Sequence, residues 1–170
     1  EFPLVRSNIQ INDVPYWGID ENNIAYIRVN RFSKNTAKDF RKALIELNEL
    51  PMEGLVIDLR SNSGGLLSNA ISMLDKIVDR GLVILETKGR LERANKKFSS
   101  RSAPIINESI PIVILINKSS ASASEIFAGV LQDYDRAVIV GQKSFGKGLV
   151  QSMFNLNDTT TLKITTAKYY

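Results

Sequence analysis

Two apolar runs, GLVIDLR (54–60) and IPIVILIN (110–117), limit what this chain can fold into. Each is rich in aliphatic and β-branched side chains and has the length of a strand. Each gives way to turn residues and then to apolar residues at helical spacing. That pattern reads as buried strands feeding helices that pack over a sheet. The alternation recurs elsewhere. NIAYIRV (23–29) reads as a strand, and a helix starts near Asn35 with Phe40, Ala43, Leu44 and Leu47 on one face. A second helix over 66–78 carries Leu67, Ala70, Ile71, Leu74 and Val78, and LVILETK (82–88) reads as a further strand. A polar excursion fills 89–102, a third helix begins near Ser122, and a β-rich tail runs from Ala137. Strands alternating with helices predict an α/β domain with parallel crossovers. At 170 residues and 44% hydrophobic content the chain suits one compact domain.

Composition removes several function classes. There is no cysteine, so neither a disulfide framework nor a thiolate metal site is available, and without histidine any metal would depend on carboxylates and carbonyls. No metal or other cofactor is expected. The net charge of +4 is spread along the chain rather than massed, which gives no support to nucleic-acid binding. No stretch reaches the length of an apolar membrane span, so membrane insertion of these residues is not expected. The opening EFPLVRSNIQ lacks the pattern of a secretory signal, and the ending TTTLKITTAKYY stops inside a strand-like alternation, as an excised fragment would.

Chemistry concentrates at two strand ends and in one glycine-rich loop. In α/β sheets, sites gather beyond the carboxyl ends of parallel strands, where helix N-termini leave N–H groups free. In DLRSNSGG, Gly64 and Gly65 leave the backbone bare, either as a tight strand-to-helix turn or as an oxyanion hole. In NKSSASASEIFAGV, Ser122 stands three residues before Glu125 in the spacing of a capping box, with Ile126, Phe127, Val130 and Leu131 following as an apolar face. A nucleophilic serine would use the same geometry, with the next N–H, that of Ala123, helping to hold an oxyanion. Spacing alone does not separate capping from catalysis. GQKSFGKGLVQ (141–151) nearly matches a phosphate-binding loop through Gly141, Gly146 and Lys147. It fails at Gly148, where Ser or Thr would hold Mg²⁺, and it is followed by a strand-like run instead of a helix. Lys147 is either an ordinary surface lysine or a base whose neutral amine is favoured by desolvation.

Taken together, GLVIDLRSNSGGLL, INKSSASASEIFAGVLQDYDRAVIVGQKSFGKGLVQ and LKITTAKYY resemble the carboxy-terminal processing peptidases, or tail-specific proteases, which are Ser-Lys serine peptidases. The resemblance runs from about Ile24 to the end. It implies a crotonase/ClpP-like α/β core, a mixed β-sheet with packed helices. It also implies Ser122 as nucleophile, Lys147 as general base, and the N–H groups of Gly65 and Ala123 as the oxyanion hole. Gln151 matches the glutamine that orients the lysine in some members. It lies four residues from Lys147, so the two would share a face in a strand or a helix. Asp133 and Glu125 are placed as helix support or in the surroundings of the dyad, because an aspartate touching the amine would favour its charged form.

Family members usually carry a PDZ domain that captures substrate C-termini by strand addition. Residues 1–22 are therefore expected to be a connecting segment after such a domain, and 23–170 a peptidase core continuing beyond Tyr170. The implied partners are protein or peptide substrates with nonpolar C-termini. The implied compartment is the bacterial periplasm or cell envelope, or the chloroplast lumen. The sequence leaves the oligomeric state open. Two other classes stay in view: a catalytically idle core that only binds peptides, and a crotonase-type acyl-CoA enzyme, which would use glycine-rich oxyanion turns without a Ser-Lys pair.

Overall fold

A computed structural model describes residues 12–170. Residues 1–11, half of the expected connecting segment, lie outside the described residues. Four strands run parallel: β2 (Ile24–Arg28), β3 (Gly54–Asp58), β6 (Ile112–Ile116) and β7 (Val138–Gly141). β1 (Tyr16–Ile19) adds antiparallel to β2, giving the order β1-β2-β3-β6-β7. Three helices make the crossovers: α1 (Thr36–Asn48), α2 (Leu67–Leu74) and α3 (Ala123–Asp133). The α/β class with a mixed sheet is thus observed, and the apolar runs 54–60 and 110–117 form the adjacent central strands β3 and β6.

Burial in this sheet is asymmetric. Ala25 aligns with Leu55 and Ile112, and Ile27 with Ile57 and Ile114, and all six are buried. Side chains alternate across a strand, so these six share the face that joins the helices in the core. The intervening Tyr26, Val56 and Val113 are only half-buried. The helices also pack on one another. Phe127 of α3 meets Phe40 of α1 edge-on at 6.0 Å and Phe32 at 6.3 Å, and all three rings are buried.

A second sheet is antiparallel, in the order β5-β4-β9-β8, from β4 (Val83–Lys88), β5 (Lys96–Ser99), β8 (Leu149–Asn155) and β9 (Thr161–Tyr169). The strand read at 82–88 therefore leaves the parallel alternation and pairs with β5. That partner lies inside the stretch read as a polar excursion; its sequence KKFS has a single apolar residue and so no visible periodicity. The second helix is also shorter than its apolar spacing suggests. It stops at Leu74, where the Asp75 carboxylate turns away to accept the Arg101 and Ser102 N–H groups, the latter at 3.0 Å.

Phe127 sits where α1, α3 and the chain after β2 converge. Phe127→Ala is expected to lower the unfolding free energy by about 3–5 kcal/mol in urea denaturation. A loss under about 1 kcal/mol would show that this cluster does not centre the core.

Candidate active site

The parallel ladder persists beyond its strands, since Val29 N–H donates to Asp58 O at 3.1 Å and Leu59 N–H to Leu115 O at 2.9 Å. It brings the turns after β3 and β6 side by side. Asp58, wholly buried at the end of β3, fixes the departure angle of the first turn. Its carboxylate accepts from Tyr26 Oη at 2.7 Å, pairs with Arg28 Nη1 at 2.6 Å, and holds Arg60 through Nε and Nη2 at 3.0 and 2.7 Å. Burial alone would raise its pKa. Hydrogen bonds from Arg60, Tyr26 and Arg28 hold it well below the usual carboxylate range instead.

Asn62 then ties the two turns together. Its buried side chain donates to Val29 O at 2.9 Å and accepts from Gly64 N–H at 2.9 Å. Its carbonyl accepts from Ala121 N–H at 3.1 Å and from Ser124 Oγ at 2.8 Å. The glycines follow with φ of 97° at Gly64 and 146° at Gly65, in the region that disfavours side chains. A Cβ on Gly64 would lie 2.6 Å from Ala121 O and 2.9 Å from Ala123 N, and one on Gly65 would run into the Phe32 carbonyl. The glycine turn therefore abuts the start of α3. Among the described residues, the N–H groups of Gly65 and Ala123 have no acceptor.

The three serines separate by environment. Ser120 is buried, donating from Oγ to Leu59 O at 2.8 Å and accepting from Asn117 N–H at 2.9 Å. Ser124 is buried on Asn62. Both are structural. Ser122 is half-buried with φ 57° and ψ −112°, far from the extended backbone of an ordinary N-cap. The capping box with Glu125 is nevertheless formed, so a helix cap here sits on a strained, positive-φ backbone at a strand-to-helix turn.

The loop carrying Lys147 docks on this turn. Phe145 N–H donates to Ser120 O at 3.0 Å, and the Glu125 carboxylate supplies most of the remaining contacts. Its Oε2 accepts the N–H groups of Ser122 at 2.7 Å and Lys147 at 2.9 Å. Its Oε1 accepts Ser144 Oγ at 2.7 Å and Gly146 N–H at 2.5 Å. One carboxylate thus joins the serine turn to the lysine loop. Burial would raise the Glu125 pKa, but bonds from Ser144, Lys147, Gly146 and Ser122 hold it below its ordinary value.

Lys147 is half-buried and lines a pocket of about 440 Å³ together with Glu125, Asp133, Tyr169 and Tyr170. Asp133, exposed at the end of α3, lines the same pocket. Among the described residues no hydrogen bond joins Lys147 to Ser122 Oγ or to Gln151. Gln151 is exposed on β8. Lys147 precedes that strand, and a register shift between Val150 and Gln151 interrupts the alternation on which a shared face depends. The glycine loop leads into β8 rather than a helix, so it lacks the helix N-terminus of a phosphate loop. Asn62, which links both turns, was not singled out in the sequence; the signal available was an Asn two residues before a glycine pair.

The sequence profile of peptidase family S41 matches residues 23–170. The carboxy-terminal-processing protease of Bartonella bacilliformis is 40% identical over the whole chain, and the carboxyl-terminal-processing protease of Picosynechococcus is 39% identical over 98% of it. Among solved structures, a photosystem II D1 C-terminal processing protease superposes on 97% of this chain and 45% of its own length, with TM-score 0.82 and 30% identity. The chain belongs to peptidase family S41. It spans about two fifths of the length of the curated relatives it matches, at 39% and 40% of the two just named.

The bonds at Glu125 predict a pH effect whose sign follows from its lowered pKa. Their contribution is complete above the ordinary glutamate value of 4.5 and is lost as pH falls through the lower folded-state value. Glu125→Gln replaces an acceptor by an amide donor facing N–H groups. It is expected to cost on the order of 1–2 kcal/mol at neutral pH and to flatten the acid-side fall in thermal midpoint. Wild-type and variant midpoints that stay parallel below about pH 4.5 would contradict this.

Proposed function

We propose that this chain is the catalytic core of a serine peptidase of the carboxyl-terminal processing kind, acting through Ser122 and Lys147. The observation that carries the reading is the strained backbone of Ser122 beside two N–H groups, of Gly65 and Ala123, that have no acceptor among the described residues. Ser122 Oγ attacks a peptide carbonyl while Lys147 Nζ accepts its proton. The oxyanion is held by the Gly65 and Ala123 N–H groups. Lys147 then gives the proton to the leaving amine, and water hydrolyses the ester bond to Ser122. Glu125 keeps the loop of the base docked on the turn of the nucleophile. In the competent arrangement the Lys147 side chain swings to Ser122, and Gln151, a neutral amide, holds the amine without favouring its charge.

The substrates in this reading are proteins recognised near nonpolar C-termini, delivered by a PDZ domain preceding this core. The names of the relatives support the class, and those relatives come from bacteria and, for one from Tetradesmus obliquus, the chloroplast. A bacterial periplasm or envelope, or an equivalent lumen, is the compartment we assign. Neither a metal nor a nucleotide takes part in these steps.

Incubating the full-length protein with an unfolded substrate ending in nonpolar residues tests the dyad. Ser122→Ala should abolish hydrolysis, whereas Ser120→Ala and Ser124→Ala should retain much of it while melting at lower temperature, because each of those hydroxyls satisfies a buried carbonyl. Lys147→Arg should be inactive, since a guanidinium does not deprotonate in this range. A folded Lys147→Arg enzyme with most of its activity would assign the base elsewhere.

A further inference from the structure

A groove of about 590 Å³ opens on the second sheet, between the β8–β9 hairpin and the turn joining β4 to β5. Its floor is apolar, with Phe98, Val150, Phe154, Ile164 and Ala167 of the sheet, and Leu67 stands in its wall. Three of the groove's four lining hydroxyls are already occupied, the exception being that of the exposed Thr165. Thr87 donates to Ala94 O at 2.6 Å, and those of Ser152 and Thr166 pair at 2.8 Å. A ligand therefore finds little hydrogen-bonding capacity at the bottom.

The rim is different. Arg90, Arg93 and Lys96 line it, all exposed, and among the described residues none belongs to an ion pair and no carboxylate lines the groove. The neighbouring acid on β4, Glu86, is already shared by Lys88 at 3.4 Å and Lys97 at 3.3 Å. Glu92, in the 3-10 turn Glu92–Ala94, does not line the groove. Three uncompensated cations above an apolar floor complement an anion carried on an apolar chain.

The groove also adjoins the proposed catalytic turn. Leu67, in its wall, is two residues from Gly65, a span of at most about 7 Å along the backbone. A polypeptide whose carbonyl sits at Gly65 reaches the groove within a few residues of the scissile bond. A single chain terminus would be served by one cation and a cluster of backbone N–H groups. Cations spread from the turn into β5 suit a side chain on a polypeptide that runs past. We propose that this groove selects substrates by an acidic side chain flanked by apolar residues, held by Arg90, Arg93 and Lys96 a few positions from the bond cleaved. This rests on the peptidase reading above and adds a specificity that the catalytic residues do not supply.

The test uses the full-length protein and two pairs of peptides. The first pair differs only in one internal Glu or Gln near the cleaved bond, both C-terminally amidated; the second lacks the acid and differs only in a free or amidated C-terminus. Wild type is expected to prefer Glu over Gln by about tenfold in kcat/KM, less at high salt, and the ratio should fall to near one in the triple variant R90Q/R93Q/K96Q. Fluorescence anisotropy of the same labelled peptides on Ser122→Ala reads the preference without hydrolysis. Equal handling of Glu and Gln, a ratio that survives in the triple variant, or a charge preference that follows the C-terminus instead would each overturn the proposal. Hydrolysis without a Glu preference would sink the groove and leave the peptidase standing. A Glu preference in binding with no hydrolysis of any peptide would do the reverse.

Discussion

Four donors from two separate segments converge on the carboxylate of Glu125, and the relation between the serine turn and the lysine loop depends on that convergence. A charged acceptor is suited to this because its bonds to N–H and O–H groups are roughly twice as strong as neutral ones, and two oxygens can serve several donors. The helix start gains as well, since a negative charge in the first turn of α3 is favoured by the helix dipole. The same residue thus completes a helix end and positions a loop more than twenty residues away, at Lys147.

Asn62 plays the corresponding part on the other side. With its side chain on Val29 and Gly64 and its carbonyl on Ala121 and Ser124, it locks the glycine turn to the serine turn. Side-chain-free glycines are needed because the backbones come within contact distance. The buried sheet face and the aromatic cluster at Phe127 supply the rigid base on which these turns are mounted. The second sheet is more open, with Met153, Phe154, Leu156 and Ile164 of the β8–β9 hairpin exposed. It supplies the walls of both grooves around the site.

Much of this was legible in the sequence where local and tertiary preferences agree. The central strands and the apolar faces of α1 and α3 follow from periodicity, and the turns that hold Gly64, Gly65 and Ser122 follow from residue type. The family resemblance fell on the same residues. What stayed hidden depends on long-range pairing. β1 has four residues including Gly18, and β5 is KKFS; neither carries a pattern strong enough to declare a strand before its partner is known. Spacing does not separate cap from nucleophile at Ser122, because both roles use the same position, and the folded chain combines a formed capping box with a left-handed φ. Gln151 shows the opposite case, in which a four-residue spacing is sound only in an unbroken element, and Lys147 lies before the strand that a bulge then interrupts.

The central claim is that Ser122 is a nucleophile activated by Lys147. Intact-mass and peptide-mapping measurement after treating the full-length protein with a serine-directed phosphonate tests it most directly. The account predicts one adduct, on Ser122, absent from Ser122→Ala and strongly slowed in Lys147→Ala. An adduct on Ser120 or Ser124, or labelling of Ser122 at an unchanged rate without Lys147, would contradict it.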